Sequence, residues 1–285
     1  RRARLDSTLR RPMTDPTKAS APLPLTQDYA SSRADFLARA ADGPIACFEH
    51  PRLAPDGTTL ATDIAWLGPP DAQHVVVVVS GTHGVEGYAG SALQRTWLRD
   101  RDPARPEGVA IALVHALNPY GFATVRRVNE DNVDLNRNFP GPDGNGFGDP
   151  PANPGYDSIA DVLVPAAWDE PTQQRTTAAM LDVAAREGFE TLQQWVSGGQ
   201  YRHPTGVFYG GTKPVWSHEV LDRFVDQELA GRARVAIIDL HTGLGPWGVG
   251  ELISSDGPTD PAYRRAVADA RDFLRGSRRR FDAGR

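Results

Sequence analysis

Residues 75 to 90 read VVVVVSGTHGVEGYAG, five consecutive valines followed by a run of small residues. An unbroken apolar run is typical of a strand that is buried on both faces of a parallel sheet. His83 and Glu86 come three residues apart, just after this strand ends. Because open α/β sheets bind their ligands outside the carboxyl ends of the strands, these two polar side chains lie where a functional site is expected.

Strands and helices alternate on either side of this stretch, which is typical of an α/β domain. The sequence predicts strands over 60–67, 75–79, 109–115 and 235–240, and helices over 28–41, 88–99, 173–187 and 220–230. The polar segment 117–165 is predicted to be one long loop, and loops of that length are usually functional or disordered. We therefore predict a three-layer α/β/α sandwich with a mixed, mainly parallel central sheet.

The composition indicates a globular protein and excludes several classes of function. With 24% charged and 40% hydrophobic residues, the 285-residue chain can bury a large core. A net charge of −5 gives no reason to expect a nucleic acid or an anionic membrane as a partner. Cys47 is the single cysteine, which excludes an intrachain disulfide and makes the cytoplasm the expected location. No apolar stretch is long enough to span a bilayer.

The two ends of the chain differ from its middle. Residues 1–25 are rich in Arg, Pro, Ala, Ser and Thr and are predicted to be a disordered lead-in. Residues 275–285 read RGSRRRFDAGR, which predicts a disordered basic tail. Between them, 26–274 shows neither an internal repeat nor a linker, so a single α/β domain is expected there.

A second histidine, His241, directly follows the predicted strand over 235–240. If both strands lie in one parallel sheet, His83, Glu86 and His241 emerge at the same edge. Two histidines and one carboxylate are a recognised ligand set for a catalytic zinc, with a fourth position left for water. Asp239 lies two residues earlier, on the same face of its strand, where it can orient the imidazole. Taken alone, H-x-x-E is a weak signal and favours a turn-capping histidine with an acid at a helix start.

Further motifs accompany these residues. Residues 118–140 read NPYGFATVRRVNEDNVDLNRNFP. Together with H-x-x-E and the late D-L-H, this block resembles the zinc carboxypeptidase superfamily. The stretches GTHGVEG and DLHTG are most similar to its aspartoacylase and succinylglutamate desuccinylase branch. The wording RRVNEDNVDLNRNF, FYGG and DLHTGLGPWGVGEL is similar to a bacterial subfamily of the DUF2817 type. The resemblance extends over about 29–252.

This resemblance implies a zinc-peptidase-like fold and one zinc ion bound by His83, Glu86 and His241. Arg127 matches the arginine that steadies the oxyanion, and Asn136 with Arg137 matches the pair that grips the free carboxylate of the substrate. Guanidinium groups suit both tasks, since they bind carboxylates through two parallel hydrogen bonds and stabilise developing negative charge.

The implied reaction is zinc-dependent hydrolysis of an amide bond next to a free carboxylate. The expected partner is a small carboxylate-bearing amide or peptide, with no nucleic acid and no membrane. The substrate is either a C-terminal peptide bond, as in a carboxypeptidase, or an N-acyl amino acid, as in a deacylase. The oligomeric state stays open.

The general base is harder to assign. Members of the superfamily use a glutamate on a strand well after the third ligand, within hydrogen-bond reach of the zinc-bound water. Glu251 is the only glutamate among the residues that follow His241, and its setting, VGELIS, does not match that position. The base is therefore expected to be Glu251 or a glutamate lost with a missing C-terminal segment. In the second case the domain is expected to be incomplete at its C-terminal end and turnover very slow or absent.

Three other functions are to be compared with this one. A serine hydrolase of the α/β type needs G-x-S-x-G, which does not occur in the chain. The run 243–248 reads GLGPWG and fits the dinucleotide-binding fingerprint G-x-G-x-x-G, but its proline and tryptophan argue against a phosphate-cradling helix start. A catalytically inactive zinc- or ligand-binding protein of the same fold remains an alternative. Of the other histidines, His115 is expected to pack beneath the site, and the rest to face solvent: His50, His74, His203 and His218.

Overall fold

The computed structural model describes residues 24–100, 107–141, 146–243 and 253. All the helices and strands given below lie in one compact unit, Pro22–Thr242. A second unit, Arg1–Ala21 with Gly243–Arg285, falls outside the described residues except for Gly243 and Ile253. The predicted basic tail and nearly all of the predicted lead-in fall outside as well, so these two predictions and the domain boundary at 274 stay predictions.

The strands form one sheet in the order β1-β2-β4-β3-β5. Their bounds are β1 Ile45–Leu53, β2 Thr59–Leu67, β3 His74–Ser80, β4 Val109–His115 and β5 Arg234–Leu240. β3 pairs in parallel with β4 and with β5, whereas the β1/β2 pair and the β2/β4 pair are antiparallel. The predicted mixed α/β sheet is confirmed, but its described pairings are half parallel rather than mainly parallel, since a hairpin extends the sheet beyond β4.

The helices cover both faces of this sheet. They are α1 Tyr29–Ala40, α2 Gly87–Asp100, α3 Pro119–Ala123, α4 Pro154–Leu163, α5 Glu170–Glu187, α6 Phe189–Ser197 and α7 Trp216–Phe224. On one face Phe36 of α1 and Leu98 of α2 pack with Leu113 of β4. On the other face Phe224 of α7 packs with Val77 and its neighbours in the sheet. Helix, sheet and helix therefore form three layers, as predicted.

The valine run behaves as a strand inside the sheet. Val75, Val77 and Val79 are at most 3% exposed, and the two valines between them are partly buried. β5 differs, because it is the last strand at its side of the described sheet and exposes three large apolar side chains, Val235, Ile237 and Ile238. β3 and β5 run in parallel with Val79 opposite Asp239, so both strands end at the same sheet edge. That edge carries the candidate site.

The prediction of one long loop over 117–165 was wrong. The segment contains α3, α4 and two short 3-10 turns, Leu135–Arg137 and Gly146–Gly148. Both helices begin with an asparagine followed by proline: the side chain of Asn118 accepts the N–H of Gly121, and that of Asn153 accepts the N–H of Tyr156. Asn-Pro pairs are typical of turns and also of helix starts, because proline suits the first helical position. The short length of these helices hides their apolar periodicity.

Two histidines that were expected to face solvent are buried. His50 is 6% exposed, with Nε2 3.2 Å from Glu130 Oε1, and His218 is 1% exposed, with Nδ1 2.6 Å from the carbonyl oxygen of Asn138. Polar partners supplied by distant loops make their burial possible. The expectation for His115 is confirmed in that its imidazole is fully buried and stacks on Phe36. In the described part of the chain, no helix has the length and apolar character needed to cross a membrane.

Candidate metal centre

The three predicted ligands come together at the sheet edge. Nδ1 of His83 lies 3.0 Å from Oε1 of Glu86, and Nδ1 of His241 lies 3.1 Å from Oε2 of the same carboxylate. The two Nδ1 atoms are 3.2 Å apart. Glu86 therefore presents one carboxylate oxygen to each imidazole, and the three side chains converge. The structure brings together side chains that are as many as 158 residues apart in the chain.

Glycines allow the H-x-x-E segment to make this turn. Gly84–Glu86 forms a single 3-10 turn after β3, with His83 directly before it. The backbone N–H of Gly84 donates to the carbonyl oxygen of Arg127, which docks the turn on the segment after α3. A Cβ on Gly84 would lie 2.0 Å from the carbonyl carbon of Gly121, so only glycine permits this approach. The N-P-x-G-F block is therefore the support on which the turn rests.

The outer nitrogen of each imidazole faces a carboxylate. Nε2 of His83 lies 3.2 Å from Oδ1 of Asp134, and Nε2 of His241 lies 2.7 Å from Oδ2 of Asp239. A carboxylate can only accept, so it favours the tautomer with the proton on Nε2 and the lone pair on Nδ1. Such partners orient histidine ligands in metal sites. The role of Asp239 was anticipated from its strand position, and its other oxygen accepts the hydroxyl of Thr82 at 2.8 Å.

Asp134 was missed by the sequence reasoning. Its side chain is fully buried and touches both His83 and Arg127, whose Nε donates to Oδ2 at 3.0 Å. The signal that was available is its place in DLNRNF, where a carboxylate precedes the two predicted substrate-binding residues. Buried aspartates are rare unless they are paired, so the burial itself marks Asp134 as part of the site.

Hydrogen bonds dominate the protonation of the cluster. Burial favours a neutral Glu86, but hydrogen bonds with His241 and His83 outweigh it and hold the pKa of the carboxyl well below its usual range. Asp239, and then Glu86, raise the pKa of His241 to about 9. Burial lowers the pKa of His83, yet Asp134 and Glu86 together raise it. Ionised carboxylates thus surround the two imidazoles, and the local charge favours a cation.

The donor set fits zinc. Two imidazole nitrogens and one carboxylate are the protein ligands of several catalytic zinc sites. Zinc–ligand bonds of roughly 2.0–2.1 Å in a tetrahedral arrangement place ligand atoms about 3.3 Å from one another. The two Nδ1 atoms are 3.2 Å apart, and each lies 3.0 or 3.1 Å from one oxygen of the Glu86 carboxylate, so these separations are close to that value. One potential ligand atom from each of His83, Glu86 and His241 lies within 4.8 Å of the other two.

The structure places Arg127 at the rim of this cluster. Besides its hydrogen bond to Asp134, its Nη1 atom lies 3.7 Å from Oε1 of Glu86. The Arg127 side chain is 38% exposed, so it is partly open to solvent. A cation in this position is suited to negative charge that develops beside the ligand atoms.

Arg137 and Asn136 lie one turn further along the same segment. Nη1 and Nη2 of Arg137 donate to the carbonyl oxygens of Asn136 and Ser197, at 3.1 and 2.6 Å. Its Nε is buried without a hydrogen-bond partner, and the guanidinium makes no ion pair with any carboxylate in the described part of the chain. Asn136 is exposed, and its backbone N–H donates to Asp134. Glu251, the candidate base, lies outside the described residues, so its role stays a prediction.

Comparison with known proteins gives a family and two structural likenesses. The chain is similar to a Zn-dependent exopeptidase from Parabacteroides distasonis, at 12% identity and a TM-score of 0.30, over 79% of this chain and 80% of that chain. It is similar to a glutaminyl cyclase from Porphyromonas gingivalis at 13% identity and a TM-score of 0.29, over 79% and 78% of the two chains. Comparison with curated proteins gave no significant match. Residues 25–278 match the family model described as a protein of unknown function (DUF2817), and the chain therefore belongs to the DUF2817 family.

Proposed function

We propose that this protein is a zinc-dependent hydrolase that cleaves an amide bond next to a free carboxylate. The observation that carries the proposal is the convergence of His83, Glu86 and His241, with the two Nδ1 atoms 3.2 Å apart and each within 3.1 Å of a Glu86 carboxylate oxygen. Such a constellation is costly to assemble for structural reasons alone, because it places ionisable groups against one another at partly buried positions.

The residues around the cluster support a hydrolytic role. Bound zinc supplies Lewis acidity, which polarises a carbonyl and lowers the pKa of a water molecule to about 7. Asp134 and Asp239 hold the two imidazoles in one orientation through their Nε2 atoms. Arg127 is positioned to stabilise negative charge on the carbonyl oxygen of the amide as that bond is attacked.

Arg137 supports the choice of a carboxylate-bearing substrate. Its charge has no carboxylate partner within the residues the structure describes, and backbone carbonyls hold its two outer nitrogens in place. A fixed guanidinium without a counter-ion favours binding of an anion, and a carboxylate matches its planar geometry. Both a C-terminal peptide bond and an N-acyl amino acid present such a carboxylate beside the amide.

Metal analysis combined with a substrate pair tests the proposal. The purified protein is expected to hold one zinc per chain, and His83→Ala and His241→Ala are expected to lose it. Stoichiometric zinc that survives both substitutions would contradict the ligand assignment. Zinc-loaded protein is then given N-acyl amino acids or short peptides beside the same compounds with a C-terminal carboxamide. Hydrolysis of the carboxylates only is expected, and equal hydrolysis of both would contradict the role of Arg137.

An inactive binding protein of the same fold is the second candidate. Three described carboxylates lie at the site, and each is within hydrogen-bond distance of an imidazole: Glu86 and Asp134 of His83, and Asp239 of His241. None is therefore available as a general base in the arrangement seen. Stoichiometric zinc together with binding of the carboxylates, but no turnover, would identify this second function.

A further inference from the structure

The ring of Phe208 is shared by two guanidinium groups. Cζ of Arg127 lies over the ring at 5.0 Å from its centroid, and Cζ of Arg137 lies at 5.7 Å. Both distances are within the range of about 6 Å in which a cation is attracted by the face of an aromatic ring. Arg127 and Arg137, which the proposed function assigns to the substrate, thus both contact the ring of Phe208.

Phe208 has an unusual backbone conformation. Its φ of +55° lies in the left-handed region, which is disfavoured for a residue with a Cβ and rare for a bulky one. Two hydrogen bonds hold it there: the N–H of Gln200 donates to the carbonyl oxygen of Phe208, and the N–H of Gly210 donates to that of Gln200. Strained residues persist where the surrounding structure over-determines them, and they cluster at functional sites.

The segment around Phe208 also fixes the other parts of the site. The carbonyl oxygen of Tyr209 accepts the N–H of Asp134 at 2.8 Å, and the hydroxyl of Tyr201 donates to the carbonyl oxygen of Arg137 at 2.7 Å. A Cβ on Gly199 would lie 2.5 Å from Cδ of Arg137, so the arginine stem passes directly over the Gly199 backbone. Arg137 is therefore confined on more than one side.

We propose that Phe208 is a positioning residue, which holds Arg127 and Arg137 on one aromatic ring so that both guanidinium groups face the same small ligand. Two like charges near one another repel, and the negative face of the ring offsets part of that repulsion. An aliphatic side chain of similar volume fills the same space without this attraction. The identity of the ligand, a carboxylate-bearing amide, rests on the proposed function, whereas the positioning of the arginines does not.

The positioning is tested on the arginines themselves. NMR spectra of arginine-labelled protein are compared for the wild type, Phe208→Leu and Phe208→Tyr, with Phe189→Leu as the matched control because Phe189 is 71% exposed. Phe208→Leu is expected to abolish the ring-current shifts of the Arg127 and Arg137 side chains and to lower their order parameters. Arg127 keeps its hydrogen bond to Asp134, and Arg137 keeps its hydrogen bonds to the carbonyl oxygens of Asn136 and Ser197, so a partial loss of order is expected for both. Phe208→Tyr and Phe189→Leu should leave both arginines as they are. Unchanged arginine order in Phe208→Leu would overturn the proposal.

A second measurement connects the ring to ligand binding. N-acetyl-L-alanine, N-acetyl-L-phenylalanine and N-acetyl-L-glutamate are titrated into zinc-loaded protein, each beside its C-terminal carboxamide. Phe208→Leu is expected to raise the dissociation constant or KM of the carboxylates by about 3- to 10-fold, with a smaller change in kcat. The dissociation constants of the carboxamides should not change. Phe208→Tyr should restore the wild-type values at equal zinc content.

The outcomes separate this proposal from the proposed function. Equal weakening of carboxylates and carboxamides in Phe208→Leu would show that the ring only packs, and would overturn the positioning role. If the wild-type protein does not prefer any carboxylate to its carboxamide, the proposed function fails, and the arginine order parameters still decide whether Phe208 positions the two side chains.

Discussion

The carboxylate of Asp134 lies 3.2 Å from Nε2 of His83, although 51 residues separate them in the chain. The same carboxylate accepts Nε of Arg127 on its other oxygen. One buried group thus contacts both a proposed metal ligand and the arginine beside it. A change at Asp134 should therefore alter metal affinity and catalysis together.

Asp134→Asn keeps the shape of the side chain but removes its charge, so His83 loses the acceptor that favours its ligating tautomer. Loss of such a partner typically reduces metal affinity by about 10- to 100-fold, and a decrease of that size is expected in competition with a chromophoric chelator. Asp157→Asn is the matched control. Asp157 also pairs with an imidazole, since its Oδ1 atom lies 2.7 Å from Nε2 of His203, but that histidine is not one of the proposed ligands. Equal zinc affinity in the two variants would show that Asp134 does not support the ligand.

Gly84→Ala tests the close approach that shapes the H-x-x-E turn. The added Cβ would meet backbone atoms of Gly121 at 2.0 Å, so the turn must move away from its support. Overpacking of this kind typically destabilises a protein by about 1–3 kcal/mol, and a lower urea midpoint with reduced zinc content is expected. Gly148→Ala serves as control, since its Cβ would have no neighbour within 4 Å. A fully stable, zinc-replete Gly84→Ala protein would show that the turn does not need this approach.

The two arginines should differ in their kinetic effects. Arg127 lies beside the ligand atoms, and its removal is expected to lower kcat by about 100- to 1,000-fold, as for the loss of an oxyanion donor. Arg137→Ala is expected chiefly to raise KM for substrates with a free carboxylate, because a carboxylate bound throughout the reaction contributes mainly to substrate binding. Steady-state kinetics of Arg127→Ala and Arg137→Ala distinguish these effects, with Arg202→Ala as a control at a side chain that is 74% exposed. The assignment of the two roles would be reversed if KM rose only in Arg127→Ala.

His115 should make the fold sensitive to acid. Burial lowers the pKa of this imidazole from its ordinary 6.5 to about 3. Between those values the unfolded chain takes up a proton that the native protein does not bind. The stability contributed by the neutral imidazole is thus fully present above pH 6.5 and is lost as the pH falls toward 3.

Urea unfolding of the wild type and of His115→Asn measures the contribution of His115 to the pH dependence of stability. From pH 7 to pH 5 the wild type is expected to lose up to about 2 kcal/mol more than the variant. Any cavity left by the substitution affects both pH values alike and cancels in the difference. His74→Asn, at an exposed histidine, should behave like the wild type. Identical pH dependence in the wild type and His115→Asn would exclude a depressed pKa.

The sequence predicts best those site residues that come directly after a strand in the chain. The valine run, H-x-x-E and the histidine after β5 are local patterns, and parallel pairing of β3 with β5 is enough to bring His83 and His241 together. β1 was missed because IACFEHPRL carries charges and a proline, which suit an edge strand and weaken its pattern.

Contacts between distant loops were not predictable in this way. Asp134 reads as an ordinary loop carboxylate, and only the tertiary structure shows that it is buried against His83. Phe208 follows Arg127 and Arg137 by many residues, and no local pattern indicates that both side chains reach its ring. His50 and His218 were misjudged for the same reason, since their buried partners come from other segments.

The three proposed metal ligands follow two paired strands, the interior strand β3 and the outermost described strand β5. His83 and Glu86 follow β3, whereas His241 follows β5, whose apolar side chains are exposed. A metal ion held by all three residues would link the end of β3 to the end of β5, and local unfolding of β5 would release the ion. By mass action, an ion at about 100 times its dissociation constant adds roughly 2.7 kcal/mol to the stability of the closed state. Amide protons of β5 should therefore exchange with solvent at a rate set by the free zinc concentration, which links metal supply to the lifetime of the folded edge.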